Sequence, residues 1–372
     1  MEQRVFTKNH LHDLKSIFGK VSTEKILLVR GGKSFQKSGA EKFIQELCQQ
    51  NCLESFTDFQ INPQLEDVEK GVEFFKSGNF DLIIAIGGGS VLDMAKLISV
   101  FVHQSGDLKS IVEGKSQLIP KKTPLIAIPT TAGSGAEATA FAVVYIGKQK
   151  YSVAHELMLS DMVYLDASFS LTAGKYLSAC TGLDALCQAI ESVWSVNATE
   201  QSQVFALQAI RTIIGNIEKA VLVNDVEAKE NMQQAAYLAG KAINITKTTA
   251  PHALSYTFTS YYGIPHGHAV ALSLPFFLQF NYHLDHNNCT DSRGADAVKS
   301  RIDKILEVFG GDIFYSKKKL LQLFEKIGIN INIKSLIANF DPELIIGNVN
   351  VERLKNNPRL VSRADIAEFF KN

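Results

Sequence analysis

The sequence predicts an α/β domain followed by an all-α domain, on three observations. Short apolar runs alternate with amphipathic helical patterns through the first half of the chain. After about Asp166 long helical periodicities take over, and no further strand–turn–helix unit follows. The length, 372 residues, exceeds what one ordinary hydrophobic core organises, so two domains are expected. The change of pattern at 165–172 divides them into residues 1–167 and 168–372.

The first half carries the strand candidates. Lys25-Ile26-Leu27-Leu28-Val29-Arg30 is a continuous apolar run closed by Gly31-Gly32, and residues 40–49 after it have helical spacing. Residues 80–86 form a second run, ended by Gly87-Gly88-Gly89 and followed by a helical 91–102, and residues 124–129 form a third. Continuous apolar strands separated by helices predict a parallel sheet covered on both faces. The second half shows helical periodicity over 181–193, 202–221, 228–243, 298–309 and 317–327.

Composition narrows the class of partner. Lys plus Arg and Asp plus Glu both number 38, so no global field favours nucleic acid or an anionic membrane. The apolar window 81–102 contains Asp93, Lys96 and three consecutive glycines, and 270–280 is too short to span a bilayer. No apolar segment behind Met1-Glu2-Gln3-Arg4 suggests a signal peptide. The five cysteines (Cys48, Cys52, Cys180, Cys187, Cys289) are an odd set without a CxxC pair, as expected of free thiols in a reducing cytoplasm. A soluble cytoplasmic protein with a small-molecule ligand, and no nucleic-acid or membrane partner, is therefore expected.

The strand–turn–helix around Gly87-Gly88-Gly89-Ser90 suits a phosphate. Glycines let the backbone approach an anion closely, and the N–H groups that open the next helix stabilise it. The third glycine is displaced from the GxGxxG spacing, so a tight turn without a ligand is the competing reading. A second polar loop, Pro129-Thr130-Thr131-Ala132-Gly133-Ser134-Gly135, follows the third strand candidate. Two such loops at the carboxyl ends of parallel strands mark where open α/β sheets bind ligands.

A different chemistry gathers in the second half. Asp184 and Gln188 are four apart on one helical face, His252 follows Ala250-Pro251, and His266 and His268 stand in Pro265-His266-Gly267-His268. One carboxylate and two imidazoles suit a divalent transition metal with a position left for substrate. Spacing alone equally allows each histidine to be an ordinary core or surface residue.

Five motifs in one order carry a resemblance. They are Gly87-Gly88-Gly89-Ser90-x-x-Asp93-x-Ala95-Lys96, Pro129-Thr130-Thr131-Ala132-Gly133-Ser134, Gly182-Leu183-Asp184-Ala185-Leu186, Pro265-His266-Gly267 and Asn357-Pro358-Arg359. From about Lys25 to the C-terminus the chain resembles the iron-containing (group III) alcohol dehydrogenase family. The resemblance implies the architecture shared with dehydroquinate synthase: a Rossmann-like domain, a helical metal-binding domain and a cleft between them, in a homodimer. It implies a small aldehyde or alcohol as substrate, and Fe2+ or Zn2+ held by one Asp and three His. Asp184, His252 and His266 match three of those positions, but the family's His four residues after the Asp is Gln188 here. A neutral amide oxygen at that position is expected to bind iron or zinc less tightly. The family's further active-site His, four residues after the first ligand His, is Tyr256, which can still pass a proton, and His268 is a second candidate for that role. The candidate cofactor-binding set is Gly31, Gly32, Lys33, Ser34, Asn62, Gly87, Gly88, Gly89, Ser90, Asp93, Thr130, Thr131, Ser134 and Lys150.

The first strand ends in Arg30-Gly31-Gly32-Lys33-Ser34, without the carboxylate that would bond a ribose 2′-hydroxyl, so NADP(H) is expected over NAD(H). Lys247, in Thr246-Lys247-Thr248-Thr249 ahead of His252, is a cation flanked by hydroxyls that suits a phosphonate, phosphate or carboxylate. A solvent-facing helix lysine is the alternative. With Gln188 and Trp194, this stretch is similar to the branch of the family that reduces phosphonoacetaldehyde. Two other classes stay open. One is a dehydroquinate synthase-like lyase using NAD and a metal; the other is a nucleotide-binding homologue that has lost catalysis through Gln188.

Overall fold

A computed structural model describes residues 3–20, 25–49 and 51–371; the side chains of Lys33 and of residues 17–20 lie outside the described set. The chain divides into two compact units, Met1–Ala173 and Gly174–Asn372.

The first unit runs β1 (Arg4–Thr7), α1 (Leu11–Lys20), β2 (Lys25–Arg30), α2 (Lys33–Lys37), α3 (Ala40–Leu47), β3 (Cys52–Phe56), α4 (Leu65–Gly78) and β4 (Leu82–Gly87). It continues with α5 (Gly89–Phe101), α6 (Leu108–Val112), β5 (Leu125–Pro129), β6 (Phe141–Ile146), β7 (Gln149–Ala154) and β8 (Met162–Leu165). A 6-stranded parallel sheet has the order β1-β8-β5-β4-β2-β3. The predicted runs are its central strands β2, β4 and β5, and β4 and β5 are buried at every residue, which explains their unbroken apolar character. The strands not foreseen have weaker signals. β1 and β3 are edge strands with exposed positions, and β8 is only 4 residues long. β6 and β7 form a separate antiparallel hairpin whose turn places Gly147 at φ 62°.

The topology sets the ligand crevice. From β2 the chain moves outward to β3 and then returns to β4 on the other side of β2. The loops after β2 and β4 therefore leave the sheet in opposite directions, the switch point at which such sheets bind ligands beyond their carboxyl ends.

The second unit is helical throughout its described residues. Its long helices are α7 (Lys175–Trp194), α8 (Glu200–Leu222), α9 (Val226–Thr246), α10 (Ala250–Tyr262), α11 (His266–Tyr282), α12 (Ala295–Phe309) and α13 (Ile313–Lys326). Short helices α14 (Ile333–Leu336), α15 (Pro342–Gly347), α16 (Val351–Leu354) and α17 (Arg363–Phe369) finish it. α10 and α11 escaped the sequence reading because α11 is buried on nearly every side, and so lacks a polar stripe, and carries Pro275 inside it. Among the described residues no helix is long and apolar enough to cross a membrane.

The Asn357-Pro358-Arg359 motif proves to be a clamp. Asn281 Nδ2 donates to Asn357 Oδ1 at 3.1 Å and Asn357 Nδ2 donates back to Asn281 Oδ1 at 2.8 Å, while Arg359 donates to Phe280 O and lies over the Phe280 ring. These bonds tie the C-terminal segment to α11.

A buried ion cluster lies nearby. Asp291 Oδ2 accepts from Arg301 Nη2 at 2.5 Å and from Arg293 Nη2 at 2.7 Å, and Arg301 Nε also donates to Val193 O at the end of α7. Burial alone would raise the Asp291 pKa, but hydrogen bonds from Arg293 and Arg301 outweigh it and bring it to about 2. An unfolded Asp titrates near about 3.9, so this group contributes about 2–3 kcal/mol that is fully present above pH ~4 and lost as pH falls towards ~2. Asp291→Asn should cost about 3–5 kcal/mol at neutral pH, because it leaves the Arg301 charge buried. Denaturant unfolding across pH checks both; a variant as stable as the parent at pH 7 would refute the cluster's role.

Candidate active site

Around the switch point the structure gathers most of the expected cofactor residues. Thr130 N–H donates to Gly87 O at 2.9 Å, which ties the end of β5 to the end of β4. Asn62, itself at φ 63°, donates its N–H to Ser90 Oγ at 3.1 Å, drawing the loop after β3 onto the start of α5. A Cβ on Gly89 would lie 2.8 Å from Ser134 Oγ, and one on Gly88 3.5 Å from Thr131 Oγ1. The Gly87–Ser90 turn and the Thr130–Ser134 loop are thus packed directly on one another, and a side chain at Gly89 would force Ser134 to shift. A Cβ on Gly31 would meet Ser34 Oγ at 3.3 Å and Val91 at 3.9 Å, so the loop after β2 joins the same rim, with Gly32 capping α2. Asp93 and Lys150 lie further along α5 and β7. Asp93 Oδ2 accepts from Val143 N–H at 3.1 Å, and burial raises its pKa against the pull of Lys96 and Lys150.

The second unit brings Asp184, His252 and His266 together, with one ligand atom of each inside a 4.8 Å cluster. Each comes from a different helix: α7, α10 and the first residue of α11. His252 Nε2 is 3.4 Å and His266 Nε2 is 4.0 Å from Asp184 Oδ1. Ligands held about 2.1 Å from a tetrahedral ion stand about 3.4 Å apart, so these separations fit a shared ion.

The ring orientations are built in. Glu191, one face of α7 with Asp184 and Gln188, is fully buried and takes the hydrogen on His252 Nδ1. Its other oxygen accepts Thr249 N–H at 2.6 Å and Thr249 Oγ1–H at 2.8 Å, and Trp194 Nε1–H donates to that hydroxyl at 2.9 Å. Ser255 Oγ lies 3.4 Å from His266 Nδ1 and donates to His252 O at 2.8 Å. With both Nδ1 atoms so engaged, each imidazole presents Nε2 to Asp184, as metal-binding histidines do. Burial disfavours a charged His252 ring, yet Glu191 and Asp184 outweigh it and lift its pKa to about 10. The site is a pocket of negative charge that favours a cation. His266 keeps 34% of its side chain exposed, which leaves one side of the cluster accessible.

Gly267 makes the meeting possible. A Cβ there would stand 1.9 Å from Cys180 O and 3.0 Å from Asp184 Cβ. The absence of a side chain lets α11 press against α7 and delivers His266 to Asp184.

The remaining predicted residues divide. Gln188 is buried one turn after Asp184 on α7. Tyr256 lies one turn after His252, its ring stacked on His266 with centroids 5.8 Å apart. His268 is not brought to the cluster: it falls on another face of α11, where Nε2–H donates to Asn330 O at 2.6 Å and Nδ1 faces Tyr176 OH at 2.8 Å. Both ring nitrogens are engaged, and burial lowers its pKa. Lys247 is the C-cap of α9 at φ 58°, half-buried, and its Nζ donates to Asn244 O at 3.1 Å. It is neither a mid-helix nor a fully solvated lysine, and its pKa is lowered by burial and then by the charge of Arg353. Of the threonines beside it, Thr246 bonds Ser192 Oγ, Ala242 O and Lys247 O, and Thr249 bonds Glu191. Those hydroxyls brace the helices around the Asp184–His252–His266 cluster. Trp194 is fully buried and braces Thr249.

Glu191, Ser255 and the roles that Thr249 and Gly267 play were missed by sequence reasoning. Glu191 had a signal: Asp184, Gln188 and Glu191 follow the i, i+4, i+7 spacing of one helical face. The others depend on contacts between helices that no local pattern encodes.

A parallel sheet with a glycine-lined switch point in one unit, and an Asp/His/His cluster in the helical other, define a nucleotide-binding, metal-binding class of oxidoreductase. Residues 2–167 match the model of the iron-containing alcohol dehydrogenase family, and residues 178–372 match its C-terminal domain model. The chain belongs to the iron-containing alcohol dehydrogenase family. It is 31% identical to long-chain-alcohol dehydrogenase 1 of Geobacillus thermodenitrificans over 84% of this chain and 78% of that one. It is 30% identical over 69% of its length to the aldehyde-alcohol dehydrogenase of Streptococcus pneumoniae serotype 4, of which it spans 31%. The iron-containing alcohol dehydrogenase of Thermotoga maritima superposes with a TM-score of 0.83 at 26% identity, covering 100% of this chain and 97% of that one. These matches favour the dehydrogenases over the lyase class.

Proposed function

We propose that this oxidoreductase reduces a small anionic aldehyde such as phosphonoacetaldehyde with NADPH, as a cytoplasmic homodimer. The observation that carries the oxidoreductase chemistry is the Asp184–His252–His266 cluster with its imidazoles oriented by Glu191 and Ser255. Fe2+ or Zn2+ bound there supplies a Lewis acid for the carbonyl oxygen. Asp184 contributes negative charge, and the braced histidines hold Nε2 towards the shared position. Tyr256, stacked on His266, is the proposed source, from its Oη, of the proton for the product hydroxyl. The Gly87–Ser90 turn and the Thr130–Ser134 loop hold the nucleotide.

The anionic preference rests on Lys247, half-buried and close enough to Arg353 for the two cations to repel. The preference for NADPH rests on the end of β2. Arg30 stands there in a stretch, Arg30-Gly31-Gly32-Lys33-Ser34, that contains no carboxylate, and it donates to Ser55 Oγ at 3.2 Å and lies over the Phe35 ring. Gln188 serves as a weak fourth ligand on the Asp184 face of α7.

An aldehyde panel with NADPH and NADH, with Fe2+, Zn2+ or Mn2+ added, tests the reading. Equal or better turnover with NADH overturns the cofactor preference, and no net nucleotide oxidation with any aldehyde overturns the reductase itself. Lys247→Met should raise KM for phosphonoacetaldehyde about tenfold and leave a neutral aldehyde nearly unchanged; equal effects on both would remove the anion preference. Gln188→His should tighten Fe2+ or Zn2+ about tenfold in a chelator competition, and unchanged affinity would show that position 188 does not ligate.

A further inference from the structure

Away from the metal cluster, the helical unit holds a cavity of about 820 Å3, within the size range of small-molecule sites. One face of α11 forms a wall of it: Leu272, Pro275, Phe276, Gln279 and Phe280 follow the i, i+3, i+4, i+7, i+8 spacing. Lys317 of α13, Arg359 and Phe369 of α17 also line it.

That wall changes character along the helix. Leu272, Pro275 and Phe276 make its first part apolar, and Phe369 packs on Phe276 with ring centroids 5.5 Å apart. One turn later two cations meet α11 at adjacent residues. Lys317 Nζ donates to Gln279 Oε1 at 2.7 Å, and Arg359 Nη1 donates to Phe280 O at 2.8 Å. Both acceptors are neutral oxygens. Burial lowers the Lys317 pKa, so an anion placed there would offset what burial costs the ammonium. Arg359 uses one donor on Phe280 O and keeps the rest of a planar fork that matches a carboxylate. Around the whole cavity four cations (Lys317, Lys334, Arg359, Lys371) face two carboxylates (Asp365, Glu368), and Asp365 is engaged by Ser362 in the cap of α17.

We propose that this cavity binds a medium-chain aliphatic carboxylate, its head between Lys317 and Arg359 and its chain along Leu272, Pro275 and Phe276. From Leu272 to Gln279 the helix rises about 10 Å, the reach of a chain of about eight carbons. The site is separate from the metal cluster, since Gln279 lies about 20 Å along α11 from His266.

Titration calorimetry with octanoate, octanamide and acetate tests it, on the parent, Lys317→Met and Lys247→Met. Octanoate should bind at one per chain. Octanamide, which lacks the charge, and acetate, which lacks the chain, should each bind at least about tenfold more weakly. Lys317→Met should weaken octanoate about tenfold, and Lys247→Met should leave it unchanged. Thermal unfolding checks that each variant folds; should Lys317→Met not fold, Lys317→Gln, which can still donate to Gln279, decides in its place. A parent protein that ignores millimolar octanoate, or takes octanamide equally well, overturns the proposal. Binding lost in Lys247→Met and kept in Lys317→Met would assign octanoate to the aldehyde pocket and overturn it equally.

Discussion

Gly267→Ala should strip the protein of its metal and reduce activity more than about 100-fold. The added Cβ would stand 1.9 Å from Cys180 O, a backbone atom in the middle of α7 that has no rotamer to yield. α11 must withdraw from α7, and His266, the residue immediately before Gly267, moves with it away from Asp184. A displacement of about an ångström is enough to break a ligand set or misplace a reacting group. Overpacking at a helix contact of this kind costs about 1–3 kcal/mol, so the variant should still fold. Metal per chain and thermal unfolding together check it. Full metal content with parental activity would show that the helices have another way to meet.

Glu191→Gln should weaken metal binding about 10- to 100-fold while largely keeping the fold. The amide matches the carboxylate in shape but replaces one acceptor oxygen by a donor. Glu191 faces three donors, on His252 Nδ1, Thr249 N and Thr249 Oγ1. Whichever way the amide turns, one buried hydrogen is left facing another. Either His252 loses its Nδ1 acceptor, and with it the tautomer that offers Nε2, or Thr249 shifts at the start of α10. Glu191→Ala would add an unfilled volume and orphan all three donors, a larger loss of stability. Chelator competition on the purified variants measures the affinity. Parental affinity in Glu191→Gln would mean that packing alone orients His252.

The legible parts of the fold were those with a strong local period. β2, β4 and β5 stood out because strands buried on both faces must be apolar at every position. The edge strands β1 and β3 and the hairpin β6–β7 did not, because pairing on one side leaves their residues partly exposed and their pattern mixed. α11 was missed for the opposite reason, since a helix buried almost all round shows no amphipathic face. Asp184, Gln188, His252 and His266 were visible by residue type and by motif. His268 was visible in the same way, yet two residues along a helix turn a side chain by about 200°, and that rotation carries it to Asn330 and Tyr176.

The sequence by itself determined the α/β-then-helical order and the glycine and threonine loops, and its motifs pointed to Asp184, His252 and His266 as candidate metal ligands. Each of these is written in a contiguous stretch of chain. Only the tertiary structure decided which groups serve the site and which brace it. Lys96, Thr246, Thr249, Trp194 and Asn357 look like functional polar residues in the sequence, and in the folded protein they hold backbone and neighbouring side chains in place. Glu191 and Gly267 do their work through residues far along the chain, His252 and Cys180. A hydrogen bond or a close approach between helices depends on where their axes cross, and no local period records that.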